Sequence, residues 1–212
     1  MRLRNIPGAK EEMLVNPFVV QEPETKKGLW KQEVFGNDRP LHVEIGCGKG
    51  RFLSEMAETN PGVNYLGIEK FSSVLLRALE KRAAMDADNL YYLRFDAEGL
   101  TEIFGDREVD RIYLNFSDPW PKARHWKRRL TSTEFLKRYD VVLAPGGTIE
   151  FKTDNEGLFD FSLESAREAG WQILVMTRDL YHSPYAEGNV LTEYEDRFAT
   201  LGKPIFKMII TR

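Results

Sequence analysis

Residues 41–51 read Leu41-His42-Val43-Glu44-Ile45-Gly46-Cys47-Gly48-Lys49-Gly50-Arg51. An apolar run closed by an acid and followed by alternating glycines has the form of a strand, a sharp turn and a helix start. Glycine takes positive φ freely and has no Cβ to obstruct a close approach of backbone to a ligand. Phe52, Leu53, Met56 and Ala57 follow at helical spacing, and Asn60-Pro61-Gly62 ends that helix. The acidic ending recurs: Glu69, Asp96 and Asp118 each close a further apolar run.

Working outward, the periodicity predicts strands over Val63 to Ile68, Leu90 to Phe95, Val109 to Phe116, Thr148 to Lys152, Trp171 to Met176 and Ile205 to Thr211. Between them it predicts helices over Ser72 to Met85, Ser132 to Leu143 and Leu158 to Ala169, and a short helix from about Thr192. Ala144-Pro145-Gly146-Gly147 reads as a turn, and Gly170 stands where a helix-ending glycine is expected. Strands alternating with helices imply right-handed crossovers and a mainly parallel sheet, so the fold class is α/β. Residues 1–38 carry Pro7, Pro17 and Pro23 with little periodicity and read as an arm over the surface, leaving 39–212 as one domain.

Length and composition narrow the function. The chain has 212 residues, 42% of them apolar, enough for one α/β domain with its own core. Its single cysteine, Cys47, excludes an internal disulfide, and Met1 to Lys10 has no apolar stretch suited to export, so a cytoplasmic location is expected. No run approaches the roughly 18 apolar residues of a membrane span. His42, His125, His182 and Cys47 show no ligand spacing, so no metal is expected. A net charge of −3 argues against coating nucleic acid through bulk charge. Yet Lys122-Ala123-Arg124-His125-Trp126-Lys127-Arg128-Arg129 places five cations and no acid in eight residues, a local RNA-binding candidate in which His125 and Trp126 are available to stack on bases.

Open α/β sheets bind ligands at the carboxyl ends of their strands. A row of carboxylates there suits hydroxyls, amines or a cation and opposes a pyrophosphate. A dinucleotide fingerprint also needs glycines at i, i+2 and i+5, and from Gly46 the last position is Arg51. The electrostatics fit S-adenosylmethionine: Glu44 beneath the turn for its ammonium, Glu69 for the ribose diol, Asp96 for the adenine amino edge. The competing structural explanation is that acids favour strand ends and helix starts, where they cap.

Glu44 to Gly50 resembles the first motif of the class I S-adenosylmethionine-dependent methyltransferases. Ser117-Asp118-Pro119-Trp120-Pro121-Lys122 with the basic run, Phe151-Lys152-Thr153-Asp154, and Thr192-Glu193-Tyr194-Glu195 together resemble the bacterial tRNA (guanine-N7-)-methyltransferase family. The resemblance spans about 41–212. It implies a Rossmann-like class I methyltransferase fold, a mostly parallel seven-stranded sheet with an antiparallel last strand and helices on both faces. It implies tRNA as partner, its variable-loop guanine as target, S-adenosylmethionine as cofactor and S-adenosylhomocysteine as product, in a monomer or homodimer.

On that reading Glu44, Gly46, Gly48, Gly50, Glu69, Asp96 and Asp118 hold the cofactor, and Asp118 is catalytic. Lys122, Asp154, Thr192, Glu193, Tyr194 and Glu195 form the target pocket, and Arg124, His125, Trp126, Lys127, Arg128 and Arg129 meet RNA. Pro119 and Pro121 stiffen the backbone around Trp120 into a shelf for a flat base. Thr192 and Glu195 also have the spacing of a capping box. The alternatives are a methyltransferase for another RNA, a small molecule or a protein, a non-enzymatic RNA-binding protein, and a nicotinamide-dependent enzyme on the same sheet.

Overall fold

Strands β1 (Leu41–Ile45), β2 (Asn64–Glu69), β3 (Leu90–Arg94), β4 (Val109–Asn115), β5 (Leu143–Thr153), β6 (Gln172–Thr177) and β7 (Phe206–Thr211) form one sheet of order β3-β2-β1-β4-β5-β7-β6. The computed structural model describes residues 5–199 and 203–212, the side chains of 197–199 apart. Strands β1 to β5 pair in parallel, and β7 runs antiparallel between β5 and β6. Strand order reverses between β1 and β4, which makes their carboxyl ends the crevice where ligands bind such sheets.

The helices are α1 (Ala9–Val15), α2 (Arg51–Thr59), α3 (Ser72–Ala83), α4 (Leu100–Ile103), α5 (Thr133–Val142), α6 (Glu156–Glu168) and α7 (Glu193–Ala199). Period-two alternation divides β2, β3 and β4 between two cores. Tyr65, Tyr92 and Tyr113 face Met13, Phe52, Leu53, Leu75 and Ala78 of α1, α2 and α3. Leu66, Ile68, Ile112 and Leu114 face Ile103, Phe135, Leu136 and Phe159 of α4, α5 and α6. Both faces of the sheet are therefore covered, as a parallel sheet requires.

Local signals end the elements. Ser132 and Asn155 cap α5 and α6, accepting from Phe135 N at 3.4 Å and Leu158 N at 2.8 Å. Gly170, at φ 75°, closes α6 in a Schellman turn: its N donates to Arg167 O and Trp171 N donates to Ala166 O. Two boundaries differ from expectation. Leu143 already pairs with Val109 and Thr148 pairs with Arg111, so Ala144 to Gly147 bulge out of a continuous β5 instead of preceding it. Strand β4 stops at Asn115, because Phe116 turns into the left-handed region at φ 52°.

Residues 5–38 run along the β3 edge. Val20 N donates to Tyr92 O and Tyr92 N donates to Phe18 O, so the segment shields an otherwise open edge strand. Its anchor is Trp30, 0% exposed, whose Nε1 donates to Ile103 O at 2.7 Å while its ring packs on Phe104. Glu108 accepts from the backbone N of both Gly28 and Trp30 at 2.9 Å. Trp30→Ala is expected to lower unfolding free energy by about 3–5 kcal/mol, read from denaturant midpoints; a change within error would make residues 5–38 dispensable for stability.

Candidate active site

The turn after β1 has all three glycines at positive φ: Gly46 at 76°, Gly48 at 59° and Gly50 at 77°. Gly50 is needed for space as well, since an added Cβ would lie 2.6 Å from both Ala78 Cβ and Tyr92 Oη. Beneath the turn lies Glu44, 2% exposed. Asn115 Nδ2, at the end of β4, donates to Glu44 Oε1 at 2.8 Å across the reversal of strand order. Among the described residues the second oxygen, Glu44 Oε2, has no hydrogen-bond partner, and neither has Asn115 Oδ1. Burial pushes the Glu44 carboxyl up to about 8, against the hydrogen bond from Asn115 and the charge of Lys152.

Glu69, at the end of β2, accepts from Gly48 N at 3.2 Å and from Phe71 N at 2.9 Å. Burial raises its pKa despite these bonds. Asp96, just beyond β3, accepts from Glu98 N at 3.2 Å and pairs with Lys70. Glu69, Asp96 and Asp118 line one cleft of about 630 Å³ together with Gly46, Phe71, Phe95, Trp120 and Arg128. Glu44, Gly48 and Gly50 do not line it; Glu44 precedes the lining residues Ile45 and Gly46 in the chain, and Gly48 N donates to Glu69. Lys122, Asp154 and the Thr192 to Glu195 segment do not line it.

Asp118 is not at the strand end where the sequence puts it. It follows three residues later in an irregular loop, exposed, with no hydrogen bond or ion pair among the described residues. Phe116 at φ 52° and Trp120 at φ 41° flank it, each a conformation costing of order 1–3 kcal/mol for a bulky side chain. The basic run forms a 3₁₀ turn, Ala123–Arg128. Lys122, Arg124, Lys127 and Arg128 are exposed; Arg128 lies 4.9 Å over the Trp120 ring, which His125 meets edge-on at 5.6 Å. Lys127 lies over Trp126 at 5.6 Å. Arg129 differs from the other four: Nε donates to Pro119 O at 3.0 Å, Nη2 to Trp120 O at 3.2 Å, and the guanidinium covers Phe161 at 4.3 Å.

The end of β5 meets α7. Thr192 Oγ1 accepts from Glu195 N at 2.9 Å, the forward half of a capping box. The Glu195 side chain does not return to the cap. Fully buried, it accepts from Tyr181 Oη at 3.0 Å and Asn189 Nδ2 at 2.8 Å, and pairs with Lys152 Nζ at 2.9 Å. Lys152 is 0% exposed and also donates to Asn189 Oδ1 and Val190 O, both at 2.9 Å. Glu193 pairs with Lys81, which also donates to Lys49 O in the glycine turn, and Asp196 pairs with Arg51. Tyr194 lies beside Phe116 at 5.1 Å and its Oη reaches Asp154 Oδ2 at 3.5 Å. Through Glu193 and Asp196, α7 is therefore tied to the glycine turn and the start of α2.

Asn115, Lys152, Tyr181 and Asn189 were not identified from sequence as site residues. The lysine that follows Phe151 at the end of the expected strand Thr148 to Lys152 is the one available signal. Among the described residues no group of three or more His, Cys, Asp or Glu could hold a metal ion, and no helix is long and apolar enough to cross a membrane.

A family model described as "Putative methyltransferase" matches residues 38–208. A tRNA (guanine-N(7)-)-methyltransferase of Lachnoclostridium phytofermentans is 61% identical over 212 residues, covering 100% of this chain and 99% of that one. The Bacillus subtilis protein of the same name is 49% identical over 208 residues, covering 98% and 97%. Among solved structures, an antibiotic-related methyltransferase superposes with TM-score 0.64 at 17% identity, covering 90% of this chain and 94% of that one. A 16S rRNA methyltransferase gives 0.63 at 15%, covering 84% and 90%. At such identities the structures speak for the Rossmann-like class I fold alone, whereas identity of one half to three fifths along the whole length decides descent: the chain belongs to the bacterial tRNA (guanine-N7-)-methyltransferase family.

Proposed function

We propose that this chain transfers a methyl group from S-adenosylmethionine to N7 of a guanine in tRNA, releasing S-adenosylhomocysteine. The observation that carries the cofactor is the pair of buried, unpartnered acceptors, Glu44 Oε2 and Asn115 Oδ1, at the reversal of strand order. Buried acceptors without donors are costly, and an ammonium satisfies both where a phosphate would be repelled. The names of relatives 49–61% identical along the chain support the substrate.

S-adenosylmethionine, when bound, supplies an electrophilic sulfonium methyl. Glu44 would hold its ammonium, and Gly46, Gly48 and Gly50 would let backbone approach it. Glu69 would offer its remaining lone pairs to the ribose hydroxyls, and Asp96 would accept from the adenine amino group. Guanine N7 has a lone pair and no proton, so the protein has none to remove there. Orientation and preorganised charge lower the barrier. Asp118, open to the cleft, holds the edge of the base and favours the cationic purine that forms. Trp120 gives the base its shelf, with the guanine turned out of its fold. Lys122, Asp154 and Thr192 to Tyr194 border the target nucleotide, while Glu195, with no free oxygen edge, sets the position of that segment through Lys152. Arg124, His125, Trp126, Lys127 and Arg128 follow the RNA backbone and stack on its bases. The protein acts in the cytoplasm, with residues 39–212 as the methyltransferase domain.

Incubation with labelled cofactor and bulk tRNA, followed by nucleoside mass analysis, is expected to yield 7-methylguanosine; a methyl on another base, or none, would overturn the reading. Asp118→Ala is expected to lower turnover by roughly 10²–10³-fold with S-adenosylhomocysteine affinity retained in calorimetry. Wild-type turnover in that variant would remove Asp118 from the chemistry.

Glu44 gives a pH signature. Between its ordinary value of 4.5 and about 8 the native protein holds the Glu44 proton that the unfolded chain has lost, so the ligand-free protein loses stability as pH rises through this window. An ammonium partner favours the carboxylate, so cofactor binding near pH 7 is expected to release a proton, detected by calorimetry in buffers of different ionisation enthalpy. Glu44→Gln is expected to abolish that release; an unchanged release would assign it elsewhere.

A further inference from the structure

The loop carrying Asp118 is short of hydrogen bonds of its own. Pro119 and Pro121 have no N–H, and Phe116 and Trp120 sit in the left-handed region. On one side Phe116 N donates to Lys152 O at 2.8 Å. On the other, the 3₁₀ turn is closed by His125 N to Lys122 O at 2.9 Å and Arg129 N to Trp126 O at 3.1 Å. Between these points the Pro119 and Trp120 carbonyls are both bonded by one side chain, Arg129, whose guanidinium also lies on Phe161 of α6.

We propose that Arg129 is a positioning residue for methyl transfer, bracing the loop that presents Asp118 and Trp120, and not one of the cations that meet RNA phosphates. The inference rests on the role given above to Asp118. A planar guanidinium bonds two successive carbonyls from one edge and stacks through its face, which ties the loop to α6. An ammonium has no such fork and no flat face, so lysine preserves the charge without the brace. Arg128, exposed and lying over the Trp120 ring, makes no hydrogen bond to the backbone among the described residues and remains available to phosphate.

The test compares Arg129→Met, Arg129→Lys and Arg128→Met in the full chain. Both Arg129 variants are expected to lose at least about tenfold in kcat at saturating tRNA, with KM for tRNA and the salt dependence of binding near wild type. Amide hydrogen exchange over residues 116–122 is expected to accelerate in both. Arg128→Met is expected to raise KM and to reduce the slope of log affinity against log salt by about 1. The proposal is overturned if Arg129→Lys restores wild-type kcat, or if Arg129→Met flattens the salt slope while kcat at saturation holds. Unchanged exchange in the protein alone would also overturn it. That last measurement involves no RNA, so a wild-type protein that makes no 7-methylguanosine refutes the proposed activity while the brace is still tested. Should Arg129→Met fail to fold, Arg129→Lys carries the comparison.

Discussion

A carboxyl group desolvated at the point where strand order reverses organises this molecule. Glu44 is taken out of water by the glycine turn above it and the sheet around it, and one neutral hydrogen bond from Asn115 falls short of what a charged carboxylate requires. The group therefore either keeps its proton or acquires a donor from a ligand. The same constraint separates this turn from those that bind phosphate, which present free backbone N–H groups to the anion. Here Gly48 N and Phe71 N are already given to Glu69. A pyrophosphate would meet carboxylates where it needs donors.

Around this centre the ion pairs divide by burial. Lys152 and Glu195 are fully buried with every remaining polar neighbour engaged, an arrangement whose net contribution is small but whose disruption leaves an unpaired charge, costing about 3–5 kcal/mol. Lys81–Glu193 and Arg51–Asp196 are half-exposed and worth about 1 kcal/mol or less each. The buried pair thus fixes α7 relative to β5, and the surface pairs adjust its approach to the glycine turn. Thr192 needs only its cap to start α7, which frees the Glu195 side chain for this task.

What was legible in the sequence depended on short-range causes. The strands, the glycine turn, the Ser132 start and the Gly170 stop follow from periodicity and from backbone preferences that act within a few residues. Trp30 was read as part of a surface arm because its burial depends on Ile103 O and Glu108, more than seventy residues away. Asp118 was placed at a strand end because nothing local announces that Phe116 adopts positive φ. Lys152 lies inside the Phe151 to Asp154 motif, yet its partner is forty-three residues downstream. Tertiary contact decided each of these.

The basic run shows the limit most sharply, because composition treats its five cations as equivalent. Two adjacent arginines on one turn project to different surroundings: Arg128 crosses an aromatic face in solvent, and Arg129 turns inward to two carbonyls and Phe161. The difference arises from the prolines. By removing donors at 119 and 121 they leave carbonyls that the loop cannot satisfy itself, and the next guanidinium within reach is drawn to them. A loop stiff enough to hold Asp118 open to the cleft is for the same reason a loop that consumes one of its own cations.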